Sequence, residues 1–168
     1  MAFTAISLTA QAGGLIEGKG WAFLVSAPEG WVWDANTLRY QGVQGLFYKQ
    51  GAKFSPSSLH MYIHPTGKKA GEVTAFGDFI EADEATFMKT DSVNVVKVLA
   101  PYSSGANYDF ILKDFDDPNE SFYQSIAYYD AEGAYFVFIL FCRSEGERDR
   151  ERPAFLELLD SFTYISKE

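Results

Sequence analysis

Two imidazoles, one thiol and a scatter of carboxylates are the groups in this sequence that could do acid–base, nucleophilic or metal chemistry. His60 and His64 lie in the run Leu59-His-Met-Tyr-Ile-His64. The alternation of Leu59, Met61 and Ile63 predicts a strand, on which the two imidazoles share a face with Tyr62 but stand about 13 Å apart at ~3.3 Å per residue. They cannot chelate one ion together, and they read as surface or half-buried polar positions. Asp114-Phe-Asp-Asp-Pro-Asn-Glu120 carries the oxygen ligands that calcium favours. Pro118 occupies the fifth loop position and no glycine supplies the sixth, so the segment departs from an EF-hand and reads as a solvated acidic turn. Cys142 ends the most apolar run with no histidine near it in sequence, which predicts a buried, inert thiol. Neither a phosphate-cradling glycine loop nor a GxSxG elbow occurs, and zinc would need carboxylates or a second chain to complete four ligands. No catalytic residue, metal ligand or cofactor is assigned.

Asp83 is harder to place. At 100° per residue it falls in the middle of the stripe Phe76, Phe79, Ile80 and Phe87 of a helix expected over 73–90, where a charge buried alone is costly. Either the helix breaks and Asp83 caps a second segment running through Glu84 and Thr86, or a continuous helix aims the carboxylate at a Tyr hydroxyl, Lys, Arg or backbone N–H. Asp83 is therefore the candidate functional acid, and Glu81, Asp83 and Glu84 form the nearest carboxylate cluster. For binding, Trp31 and Trp33 are the candidates: alternation puts both rings on one face of a strand, as an exposed platform for a partner or as sheet packing.

The elements that position these residues follow from periodicity. Trp21-Ala-Phe-Leu-Val-Ser26 and Trp31-Val-Trp33 are strand-like and split by Ala27-Pro-Glu-Gly30, which predicts an opening hairpin. Short strands follow at Leu46–Lys49 and Leu59–His64, then the helix over 73–90. Val93–Leu99 and Tyr108–Phe115 resume strands. Ser121–Asp130 and Ala134–Arg143, joined by Ala131-Glu-Gly133, predict a long antiparallel hairpin whose second strand, apolar on both faces, is central. A charged run, Ser144–Arg152, reads as a solvated loop or fraying helix start before Pro153 opens a helix carrying Phe155, Leu158, Leu159 and Phe162.

The chain has 168 residues, of which 47% are hydrophobic and 17% aromatic, the composition of one folded domain that needs no disulfide or metal for stability. Its formal charge of −9 repels phosphate backbones and anionic lipid, so nucleic acid is not an expected partner. The longest unbroken apolar run, Ala134–Cys142, is too short to span a membrane. Met1–Ala12 is uncharged, small and weakly apolar and ends in Ala10-Gln-Ala12 before Gly13-Gly14, like the rear half of a secretion signal without its basic start. The other reading is an ordinary first strand with Thr4, Ile6 and Leu8 on one side. Residues 1–17 are thus set apart as a signal remnant or N-terminal extension, and 18–168 as the single domain. Clustered strands rather than strict strand–helix alternation predict an α+β fold with an antiparallel sheet.

Gly20-Trp-Ala-Phe-Leu-Val25, Ala27-Pro-Glu-Gly-Trp31, the mid-chain helix, the strand meander and the terminal segment with Leu159-Asp-Ser-Phe162 resemble the PsbP superfamily. The resemblance spans Gly18 to Ile165. It implies an α/β/α sandwich around a mainly antiparallel sheet, and members that bind, assemble or chaperone other proteins without shared catalytic machinery. It carries over no functional residue.

The expected function is accordingly a non-enzymatic protein-binding or assembly module of a bacterial cell envelope, periplasmic or secreted, with an aromatic patch inside an acidic surface. The expected partner is another protein, basic in character, or a second copy of the chain in a homodimer. Two alternatives stand beside it: a hydrolase or metal-dependent enzyme with a carboxylate site, and a cytoplasmic chaperone for one client.

Overall fold

The computed structural model describes residues 13–37, 42–68, 75–90, 95–117 and 119–166. The readings of Met1–Ala12 lie outside them. Strands β1 (Gly13–Gly18), β2 (Trp21–Ser26) and β11 (Thr163–Ser166) form a small sheet in the order β1-β2-β11. The large sheet runs β3 (Trp31–Asp34), β4 (Gly45–Lys49), β5 (His60–Gly67), β10 (Ala134–Cys142), β9 (Phe122–Asp130), β8 (Asp109–Asp117), β6 (Val95–Val98), with the short β7 (Tyr102–Ser103) also on β8. The observed strand pairs are antiparallel.

Helices α1 (Phe76–Thr90) and α2 (Glu145–Ser161) cover the two faces of the large sheet. On one face, α2 and the small sheet enclose the main core, where the Phe162 ring contacts Phe23, Phe136 and Phe138 at centroid distances of 5.6, 5.2 and 5.1 Å. On the other face, α1 lays Phe76, Phe79, Ile80 and Phe87 over Tyr135, Val137, Tyr128 and Phe115. The result is the expected α+β sandwich around an antiparallel sheet. No helix among the described residues is long and apolar enough to cross a membrane.

The β9–β10 hairpin forms in the expected place, with Asp130 opposite Tyr135, and β10 is central between β5 and β9. The opening hairpin does not form. A turn closes there, Trp31 N–H donating to the Pro28 carbonyl at 3.0 Å with Gly30 at φ +75°, but β2 and β3 enter different sheets. The inward faces of both strands, Phe23 and Val25 on β2 and Trp31 on β3, are needed by the same core, so the strands stack across it instead of pairing edge to edge. Gly13–Glu17 is likewise part of the fold, since β1 pairs with β2 along its length from Gly13↔Ser26 to Gly18↔Trp21.

Helix α2 starts at Glu145, eight residues before Pro153, because the charged run is capped by Ser144 rather than frayed. The Ser144 hydroxyl accepts from the Glu147 N–H at 3.1 Å, and Glu147 Oε2 accepts from the Arg143 N–H at 2.8 Å, a variant of the reciprocal capping box. Nor is the run fully solvated. Arg148 and Glu151 are buried, Glu151 on an ion pair with Lys49 of β4 at 2.6 Å.

Candidate functional site

Asp83 sits on the sheet-facing side of α1, in a continuous helix, where the Tyr128 hydroxyl of β9 donates to its Oδ2 at 2.9 Å. Of the two ways to satisfy the charge, the protein uses the second. Desolvation between helix and sheet pushes the Asp83 carboxyl up from its ordinary range, opposed by the Tyr128 hydrogen bond and by the nearby His64. The same burial, with Asp83 beside it, drives the Tyr128 hydroxyl far upward, so the phenol keeps its proton and remains the donor.

His64 reaches this place because β5 and β9 flank β10: Val137 stands opposite His64 on one side and Tyr128 on the other. Asp83 thus lies over one cross-strand row. Desolvation lowers the His64 imidazole from its usual value, and the Asp83 charge opposes that shift. Next along the helix, Glu84 pairs with Lys113 of β8, while Glu81 points to solvent. The three helix carboxylates therefore take three directions, and among the described residues no group of three His, Cys, Asp or Glu could hold a metal ion.

His60 is separate from this cluster. Its ring is buried, stacks on Phe141 at 5.0 Å, and is lowered from its ordinary pKa by burial, with the Ser58 carbonyl opposing. That carbonyl lies 2.6 Å from Nδ1, so Nδ1 carries the proton. Cys142 is fully buried, and burial followed by the charges of Glu147 and Glu151 pushes its thiol up to about 12.

The acidic segment overturns its reading as a solvated turn. Strand alternation splits it: Asp114, 2% exposed, faces α2, while Asp117, 1% exposed, faces the other side and accepts from the Asn119 N–H at 3.1 Å. Asp114 accepts from Ser125 Oγ at 2.7 Å and from Arg152 Nη2 at 2.8 Å. Asp116 pairs with Arg148. Nothing local could have foretold this, because both arginines come from the charged run some 30 residues on.

Trp31 and Trp33 do share a face, and it is the inner one. Trp31 is 6% exposed under a cation–π contact from Lys49 at 4.5 Å, and Trp33 packs half-buried against the core and beside Gly14. An exposed tryptophan platform is therefore not what the pair forms; both indole N–H groups are buried with no acceptor. Exposed apolar side chains appear elsewhere. On the outer face of the small sheet Leu15 stands directly opposite Leu24, and Ile165 opposite Ala22, one step along the same face.

No family model matches the sequence, and no curated protein matches it. Among solved structures, the solution structure of cyanobacterial PsbP (CyanoP) from Synechocystis sp. PCC 6803 superposes with a TM-score of 0.56 at 11% identity, covering 97% of this chain and 98% of that one. A crystal structure from Bacteroides thetaiotaomicron VPI-5482 gives a TM-score of 0.48 at 12% identity, over 87% of this chain and 45% of that one. The first likeness shows that the chain has the PsbP-like fold.

Proposed function

We propose that the chain is a non-enzymatic protein-binding or assembly module of a bacterial cell envelope, periplasmic or secreted, acting on another protein. The outer face of the small sheet carries this reading. Leu15, Leu24 and Ile165 are 52%, 43% and 37% exposed and lie on three adjacent strands, so a partner covering them gains apolar burial without any rearrangement of the core. The chain's net charge of −9 favours a basic partner and speeds its encounter. The envelope assignment draws on the PsbP-like fold and on the signal-like character of Met1–Ala12. The enzyme alternative draws on Asp83, an acid held toward its protonated form beside an imidazole, but Glu81 and Glu84 do not converge on it.

A photo-crosslinker placed at Leu24 in host cells tests the reading. It should trap one protein, and Leu15→Glu should abolish the adduct while leaving the circular dichroism spectrum unchanged. An equal yield from a crosslinker at the exposed Glu81 of α1, or none at Leu24, would sink it.

A further inference from the structure

A cleft of about 440 Å³ opens between the first half of α2 and the edge of the large sheet, within the size range of small-molecule sites. One wall is apolar: Leu99, Pro101 and Leu112 from the sheet edge, and Leu156 from the helix. Arg148 and Arg152 line the cleft from the helix, and Lys97 lines it from β6, across from Asp114 of β8.

Those cations have more donors than the protein satisfies. Arg148 is 2% exposed, yet its Nε has no hydrogen-bond acceptor; Asp114 Oδ2 stands 3.6 Å away, and Glu145 Oε1 lies 3.6 Å from Nη2. Only Nη1 is engaged closely, on Asp116. Arg152 commits Nη2 to Asp114 and reaches the exposed Asp149 at 3.9 Å. Lys97, on the same face of β6, makes no ion pair with the described residues. Among the acids, Asp114 accepts on both oxygens, while Glu145 and Asp149 are solvated rim groups held loosely. What the cleft's buried guanidinium lacks is an acceptor for Nε. A buried guanidinium short of acceptors costs free energy that a bound carboxylate would recover, and the helix N-terminus alongside favours the same sign of charge.

We propose that this cleft binds a carboxylate attached to an apolar body, the carboxylate bridging Lys97 and the two guanidiniums and the apolar body lying on Leu99, Pro101, Leu112 and Leu156. The site goes beyond the protein-binding reading and does not depend on it, since the small sheet's outer strands take no part. A free small acid and the carboxyl terminus of a peptide share this chemistry.

The test is amide-resolved NMR titration of the full chain with 4-phenylbutyrate, beside 4-phenylbutanol and 4-phenylbutylamine. The acid should bind saturably in the low millimolar range or tighter, shifting the amides of Leu99, Tyr102 and Leu156. The alcohol should bind at least about tenfold more weakly, a comparison that needs no variant. Lys97→Met, at an exposed position without an ion pair among the described residues, should weaken the acid by about tenfold and leave the melting temperature in place. An acetylated Gly-Gly-Phe peptide, as acid and as amide, separates the sources: tighter binding of the peptide acid than of phenylbutyrate assigns a chain terminus, and weaker binding a free small acid. Equal binding of alcohol and acid, preference for the amine, or no saturable shift at the cleft would each overturn the proposal.

Discussion

The Tyr128 hydroxyl and the Asp83 carboxylate, 45 residues apart, meet at 2.9 Å and tie β9 to α1 through the middle of the helix–sheet interface. Removing the donor leaves a partly desolvated carboxylate without a partner. Tyr128→Phe should therefore lower unfolding stability by about 1 to 3 kcal/mol at pH 7, and by less in acid where Asp83 is protonated. Urea melts at the two pH values read this directly.

Asp83→Asn keeps an acceptor for Tyr128 and removes the charge. Because the folded pKa of Asp83 is raised above its unfolded value, the native state holds the proton longer. Its contribution to stability is present in acid and lost as pH rises through the folded pKa. The asparagine variant should thus be as stable as the parent or more so at pH 7, with the gain fading on acidification. A drop at neutral pH would mean that the charge itself is required.

The histidines run the opposite way. His60 and His64 are both lowered by desolvation, so the unfolded chain takes up protons first and stability falls as pH drops below the ordinary imidazole value of about 6.5. His64→Gln should flatten that limb of the pH–stability curve in part, with the remaining slope belonging to His60. A curve unchanged by the substitution would show that His64 titrates alike in both states.

Gly14 admits no side chain without moving Trp33, whose ring fills the space a Cβ would need. Gly14→Ala should cost about 1 to 3 kcal/mol by overpacking and shift the tryptophan emission. Unchanged emission with unchanged stability would place the ring's position outside the control of β1.

Cys142, with its thiol pushed up to about 12, should resist a thiol reagent at pH 8 in the native protein and react at once in denaturant. Labelling that tracks the opening rate rather than reagent concentration would confirm that only unfolding exposes it.

Elements whose burial is carried by apolar residues could be read from the sequence: the stripe of α1, the alternation of β5 and the hairpin of β9 and β10. The first half of α2 could not, because its inward positions are Arg148 and Glu151, and their burial depends on Asp114, Asp116 and Lys49 from distant strands. The Ser144 to Glu147 spacing was the available signal. The turn after Ala27 was legible as a reversal, but a turn does not say whether its strands will lie side by side or stack across a core. Asp83 was legible as a charge needing a partner; the partner's identity came only from the fold.

The pairing of β2 with β11 sets Trp21 opposite Ser166 and brings Phe162 beneath Phe23. The middle strand of the small sheet is thus made long before its second neighbour. While the chain is still growing on a ribosome, β2 has β1 alone, and Phe23, Phe136 and Phe138 lack the ring that joins them. Closure of the main core waits until Thr163–Ser166 emerges, the kind of long-range contact that folds slowly. Throughout that interval the nascent chain exposes the aromatic surface that the folded domain hides, and any factor engaging it before β11 emerges meets a substrate different from the native fold.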